Sequence, residues 1–490
     1  MTAVVAGTAV AGGAGPRGAA STRLAWLRER GMGATVLVSA ISAAFGVVLL
    51  TATGYLAAVL HADPFYGGSE TLTLVVGILS IVLVAVSVYV GALVTANTFA
   101  TIVAGRTRQI ALLRLIGASA SSQRAQVAGQ GLAVGGIGAF LGLVGGTVAC
   151  VVAMPALDRL SGVDTGYVVA GPPLLVPAIA VALTTWAAAW AGSRRVLAVT
   201  PLQALGGSVE ATREQLAHRP QRNRWALALL GLGVLLLAGG ILVGLITPLG
   251  VVVAFFGGLF SFTGLTLAAP VVMPPLLRLT GRAFGGSAPA RLAAENALRY
   301  PERSSRMAMG VVMGVALVTM FAVATESVKA LLARSSGGEV HASISQTLDS
   351  FAAVMMVLVG VSAVIAAVGL VNLLTIGVVQ RRRELGLLRA LGSTGRQVRL
   401  MVLLEAVHVT VTALAFGLGL GVLYGWAAAQ SQLGSVQTPP DWISPTFVAP
   451  AVPWLAVVVV VVATTVLTLV AAVVPTRLAT RVTPVAALAE

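Results

Sequence analysis

Side chains able to do chemistry are scarce in this sequence. It holds one cysteine, Cys150, and four scattered histidines, His61, His218, His341 and His408. A lone cysteine inside an apolar run gives neither a disulfide framework nor a cysteine-based metal site. Histidines so far apart do not point to zinc. Glu405 and His408 stand one helical turn apart near the start of an apolar run. They have the types of a proton-transferring pair, but the position equivalent to Glu405 in the repeat described below is the neutral Gln130. They are therefore read as interfacial. No Gly-x-x-x-x-Gly-Lys-Ser/Thr phosphate loop occurs, so nucleotide is not bound here in that manner. No catalytic residue and no metal ligand is assigned, and the chain is read as not an enzyme.

The elements that hold these residues are membrane helices. Of the 490 residues, 57% are hydrophobic and 10% charged, and the mean hydropathy is +0.96. A soluble protein carries about 25% charged residues, and so few cannot cover a water-facing surface. A spanning helix needs about 20 apolar residues. Ten such runs are legible: 34–60, 71–103, 126–153, 171–193, 225–246, 248–277, 307–331, 350–378, 400–429 and 452–475. The expected fold class is an all-α integral membrane protein of about ten transmembrane helices.

Charge sets the expected orientation. The formal net charge is +15, which on a soluble protein would suggest nucleic acid. Here the basic residues sit in short loops between apolar runs, and no nucleic-acid partner is expected. With the N-terminus inside, 28 of the 31 basic residues fall on the inner side, and only Arg159, Lys329 and Arg334 fall outside. The positive-inside rule then places both termini in the cytoplasm of a multi-pass protein. Ala/Gly/Val richness, with Lys329 as the single lysine, suggests a bacterial cell membrane. The span interiors are nearly empty of Asp, Glu, Lys and Arg. Such residues mark proton and ion pathways, so a proton-coupled transporter or an ion channel is not expected. Glu326, Lys329 and Asp349 stand near the outer mouth, within reach of a substrate.

One stretch occurs twice. Asn97, Arg106, Arg108, Leu112, Leu113, Arg114 and Gly117 recur 275 residues later as Asn372, Arg381, Arg383, Leu387, Leu388, Arg389 and Gly392. The register continues from Arg124 to Arg399, and from Gly142 and Gly146 to Gly417 and Gly421. Repeats of this kind indicate duplication. The expected organisation is a flexible tail and pre-membrane helix at 1–33, a four-helix repeat at 34–205, connectors with two linking spans at 206–299, and a second four-helix repeat with a cytoplasmic tail at 300–490. Six spans separate equivalent points, so the halves have the same orientation. Glycines at 138, 142 and 146, and at 417, 421 and 425, give small faces for close helix packing.

In the second copy the apolar residues at 385, 387, 388 and 391 fit a short amphipathic helix, and Gly392 sits at its C-cap. That helix has two destinations, the lipid headgroups or a groove on a soluble partner. Residues 23–30 and 291–303 read as further amphipathic segments lying on the inner leaflet.

The run Arg381-Arg-Arg383-Glu384-Leu-Gly-Leu387-Leu388-Arg389-Ala-Leu-Gly392 resembles the hallmark of the FtsX-like permeases, the membrane subunits of ABC transporters of the MacB, LolCDE and BceAB type. The first copy is weaker, with Gln109 for Glu and Ala111 for Gly. The resemblance implies a transmembrane domain driven by mechanotransmission from two copies of a separate soluble ABC ATPase, which would hold the ATP and Mg; this chain holds no cofactor. It assigns the coupling role to Arg106, Arg108, Leu112, Leu113, Arg114 and Gly117, and to Arg381, Arg383, Glu384, Leu387, Leu388, Arg389 and Gly392. MacB- and Bce-type permeases carry a large extracytoplasmic domain, whereas the equivalents here, His61–Glu70 and about 332–349, are too short to fold as one. The implied function is export or extraction of a hydrophobic or amphipathic substrate (antibiotic, lipid or peptide) from membrane lipid. The alternative is a non-transporting signal transducer acting on an extracytoplasmic partner.

Overall fold

A computed structural model describes residues 32–62, scattered positions from 77 to 92, 117, 119–161, 167–169, 171–193, 220–283, 287–299, 301–335, 382–435 and 445–481. These residues form helices and connecting turns, with no strand among them. The helices are α1 (Met32–Ala62), α2 (Ala120–Ser161), α3 (Leu175–Gly192), α4 (Pro220–Gly244), α5 (Gly250–Gly281), α6 (Ala288–Arg299), α7 (Pro301–Ser335), α8 (Arg382–Ala390), α9 (Gly395–Leu433) and α10 (Trp454–Arg481). Seven helices are long and apolar enough to cross a membrane, and α10 carries an eighth, shorter apolar stretch at Trp454–Val470. The chain is an all-α, multi-pass membrane protein. The expected spans at 71–103 and 350–378 lie largely or wholly outside the described residues, as do the tail before Met32 and residues 194–219.

Two groups of helices pack around small residues. In the first group α2 lies along both α1 and α3. Gly131 and Gly135 abut Ala189 and Thr185 of α3, while Gly138, Gly142 and Gly146 abut Ser39, Ala43 and Val47 of α1. In the second group α9 lies along α7 and α10, and Gly417, Gly421 and Gly425 abut Val315, Thr319 and Val323 of α7. The registers coincide. Gly142 meets the Ala40 carbonyl and the Ala43 Cβ; Gly417, 275 positions further on, meets the Val312 carbonyl and the Val315 Cβ, which stand 272 positions beyond their counterparts. Gly146 and Gly421 repeat this with Ala44 and Val47, and with Ala316 and Thr319. Lipid tails are as apolar as the helices, so close contact rather than the hydrophobic effect selects the partners.

The tight turn at 245–249 folds α4 back on α5. Gly233, Gly240, Gly257 and Gly264 each sit against the opposite backbone. This hairpin packs on α7 and α9. Phe262, Leu265, Met273 and Leu277 of α5 share a buried core with Met307, Val311 and Val312 of α7 and Val409 and Ala413 of α9, reached also by Val38, Phe45 and Leu49 of α1.

The amphipathic segment expected at 291–303 forms α6, but its small face is not given to lipid. Ala290, Ala293 and Ala297 are buried, and α6 packs on α9. Alanines allow the close approach that larger apolar residues would prevent.

Candidate functional site

The repeated loop is a helix–turn–helix whose every local signal agrees. Helix α8 ends on a left-handed glycine, Gly392, at φ 102°. The Ser393 amide donates to the Leu388 carbonyl (3.0 Å) and the Gly392 amide to the Arg389 carbonyl (3.1 Å). This is a complete Schellman ending, and it needs a residue without Cβ strain at 392. Two residues later Thr394 caps α9. Its hydroxyl accepts from the Gln397 amide (3.3 Å), and the Gln397 side chain accepts from the Thr394 amide (2.8 Å), a reciprocal capping box. Four residues, 391–394, separate the two helices, and backbone or capping hydrogen bonds hold each of them.

The first copy keeps the plan. Gly117 has φ 103°, and the Ser119 hydroxyl accepts from the Ser122 amide (3.1 Å) at the start of α2. Gly117 and Ser119 stand 275 positions before Gly392 and Thr394. Ser122 replaces Gln397, so the reciprocal half of the capping box is not available there.

Helix α8 divides its leucines between two directions. Leu385 is buried with Ala293 of α6 and Val398, Met401 and Val402 of α9, and Leu388 packs partly against that cluster. Leu387 and Leu391 point away, 51% and 76% exposed. Arg396 and Arg399, near the start of α9, are exposed. The result is an apolar ridge seated on α6 and α9 and open on its far side. Arg383 and Glu384 lie in the first turn of α8, and Arg389 in its last turn is partly buried. Arg106, Arg108, Leu112, Leu113, Arg114 and Arg381 lie outside the described residues.

Glu405 and His408, expected at the interface, are buried instead, at 3% and 0% exposure. His408 Nε2 lies 2.8 Å from the Leu277 carbonyl and 3.1 Å from Thr280 Oγ1, which in turn lies 2.7 Å from Thr412 Oγ1. The site is the contact between the end of α5 and α9. A span boundary alone gave no sign of a helix covering it.

Two attachments of connecting segments to the helices escaped the sequence. Gln430, on the last turns of α9, is 2% exposed. Its amide nitrogen donates to the Thr446 carbonyl (2.9 Å) and its oxygen accepts from the Val448 amide (2.8 Å). Trp426 Nε1 donates to the Val448 carbonyl, and Ser327 of α7 accepts from the Ala451 amide. The extended segment 445–453 is thus strapped across α7 and α9. In the first group Tyr167 lies against Gly54, edge-on to Tyr55, and Tyr55 donates to Asp158 Oδ1 (3.1 Å). Burial, and then the neighbouring Cys150, push the Tyr167 phenol above its ordinary value. Glu326 and Lys329 lie toward the C-terminal end of α7, and Asp349 lies outside the described residues. Among the described residues no group of His, Cys, Asp and Glu could hold a metal ion.

Comparison with known proteins agrees with the repeated motif. Over 104 residues the chain is 28% identical to the "Uncharacterized ABC transporter permease YknZ" of Bacillus subtilis (strain 168), covering 21% of this chain and 26% of that protein. Over 106 residues it is 26% identical to "Macrolide export ATP-binding/permease protein MacB" of Bdellovibrio bacteriovorus, covering 20% of this chain and 16% of that protein. The aligned part is thus about a quarter and about a sixth of these relatives' own lengths. The family profile described as "FtsX-like permease C-terminal" matches twice, over residues 81–201 and 355–484, together just over half of the chain. The chain belongs to the FtsX-like permease family.

Proposed function

We propose that this chain is the membrane subunit of an ABC transporter, driven through its two repeated loops by two copies of a soluble ATPase. The observation that carries this reading is the seat of α8. Its inner leucine, Leu385, is locked to α6 and α9, while Leu387 and Leu391 are left open. An exposed apolar ridge on a helix suits the helix-in-groove mode of recognition, and the exposed Arg396 and Arg399 on the following helix suit an acidic partner. The names of the two relatives support the ABC assignment for the class of machine. MacB in Bdellovibrio is described as a macrolide exporter, which supports a hydrophobic or amphipathic substrate here without naming it.

The capped helix–turn–helix supports a reading in which motion is transmitted mechanically. Closure of the ATPase pair draws the two coupling helices together. The Schellman turn and capping box pass the displacement to α9, and the equivalent turn at Gly117 passes it to α2. Both long helices grip their partners, α7 and α1, through glycines in the same register. In this reading ATP and Mg belong to the partner, both termini are cytoplasmic, and the membrane is the inner or plasma membrane of a bacterium. The two glycine registers and the two family matches support a duplicated, pseudo-dimeric chain.

The test is the mass of the intact complex after gentle extraction from the native host. One copy of this chain with two copies of an ATPase is expected. A chain isolated without a nucleotide-binding partner, under conditions that keep other ABC complexes whole, would overturn the reading and favour a transducer working through another partner.

A further inference from the structure

Among the described residues, the two halves are tied to the linking hairpin differently. On the second-half side the ties occur at three heights. Gly244, at the end of α4, sits against the Ser431 backbone of α9. Midway, Ser261 Oγ lies 2.9 Å from the Tyr424 hydroxyl, and the Phe262 and Tyr424 rings are 6.5 Å apart. At the other end the His408–Leu277–Thr280–Thr412 cluster pins the last turns of α5 to α9, and Ser305 of α7 donates to the Ala269 carbonyl (3.0 Å). Helix α6 follows directly and packs on α9 as well.

On the other side, α1, α2 and α3 pack along one another, and among the described residues none of them lies along α4 or α5. Helix α1 reaches the shared core with apolar side chains, Val38, Phe45 and Leu49. Tyr89, in the second expected span, places its hydroxyl 2.7 Å from Thr263 Oγ1 and 3.4 Å from the Leu259 carbonyl. Residues 261 and 263 lie on roughly opposite flanks of α5, about 200° apart at 3.6 residues per turn. One flank therefore faces the second half through Tyr424, and the other faces the first half through Tyr89.

Apolar contact is non-directional, so α1 can slide on this core without losing a defined partner. Buried hydrogen bonds cost free energy to leave unmade, so the His408 and Tyr424 ties resist separation. Thr263 Oγ1 itself donates to the Leu259 carbonyl (2.7 Å), so the Tyr89 hydroxyl meets a single local cluster on α5.

We infer that the α4–α5 hairpin moves as one body with the second half, and that the boundary with the first half runs along the Tyr89–Thr263 contact. The inference rests on the proposed function only where nucleotide drives the motion. Among the described residues the two bodies are unequal: one comprises α1, α2 and α3, and the other carries the hairpin and α6 in addition to α7, α9 and α10. Tyr89 is a positioning residue at that boundary.

Spin labels at three exposed sites test this in a Cys150→Ala background: Leu232→Cys on α4, Leu423→Cys on α9 and Val144→Cys on α2. In the chain alone in lipid nanodiscs, pulsed dipolar spectroscopy is expected to give a narrow 232–423 distance distribution and a 144–232 distribution about twofold broader. In the complex with its co-purified ATPase, exchange of ADP for vanadate-trapped MgATP shifts the 144–232 distance and leaves 232–423 in place. A 232–423 distance that moves with nucleotide, or a distribution as broad as that of 144–232, overturns the inference. If nucleotide moves neither distance, the ATP-driven reading of the function is what fails, while the widths still decide to which body the hairpin belongs.

Discussion

A methyl group at Gly421 has nowhere to go. Its Cβ would fall on Thr319 and 2.8 Å from the Ala316 carbonyl, whereas at Gly419, half a turn away, nothing lies within 4 Å. Gly421→Leu is expected to lower stability by about 1–3 kcal/mol through overpacking, and Gly419→Leu to leave it within about 0.5 kcal/mol or raise it slightly. Thermal unfolding of both variants in one detergent checks this; equal behaviour would mean that α7 and α9 are not in contact as described. His408 makes a second case. His408→Ala removes the donor or acceptor shared by Leu277 and Thr280 and is expected to cost about 1–3 kcal/mol, read in the same assay. The glycines were legible because a run of four-residue spacings has few other uses in an apolar helix. The histidine's setting was not legible. Its partners lie 131 and 128 positions away, and local sequence says nothing about which helix covers a face.

At the scale of elements, α8 and its turn were readable because each signal is local: an amphipathic run, a glycine at the C-cap, a Thr-x-x-Gln pair. What the sequence left open was direction. The pattern alone does not say which leucines are spent on the chain itself. The structure spends Leu385 and part of Leu388 internally and leaves Leu387 and Leu391 open. Leu391→Arg is therefore expected to abolish ATPase association, read by co-purification, with an unfolding midpoint close to that of the unchanged chain. Leu388→Arg is expected to lose the partner and also destabilise the seat of α8. If Leu391→Arg binds its ATPase normally, the exposed ridge is not the docking face. Gly392→Ala should cost about 1–2 kcal/mol for a left-handed residue with a side chain, and it should reduce stimulated ATP turnover more than it reduces association. Helix α6 illustrates the opposite lesson. Its amphipathic pattern was clear, but a small-residue face fits another helix as well as a membrane surface, and only packing decides.

At the scale of the whole molecule, the number and placement of the apolar runs follow from bilayer thickness, and seven of the expected spans stand as long helices. The order in which they pack was not available from thickness, because every span is apolar. What joins them is close glycine contact and a few buried polar ties. One of these ties reaches across the membrane. Helix α9 runs 39 residues from the capped turn at Thr394 to Leu433, about 58 Å at 1.5 Å per residue, without a proline. At its far end Gln430 and Trp426 hold the strap of residues 445–453. Under the proposed function this helix would act as a push-rod with a fitting at each end. A displacement of Leu391 is then expected to reappear at Phe447, at the opposite end of α9, where a side chain 66% exposed offers a place to attach a reporter.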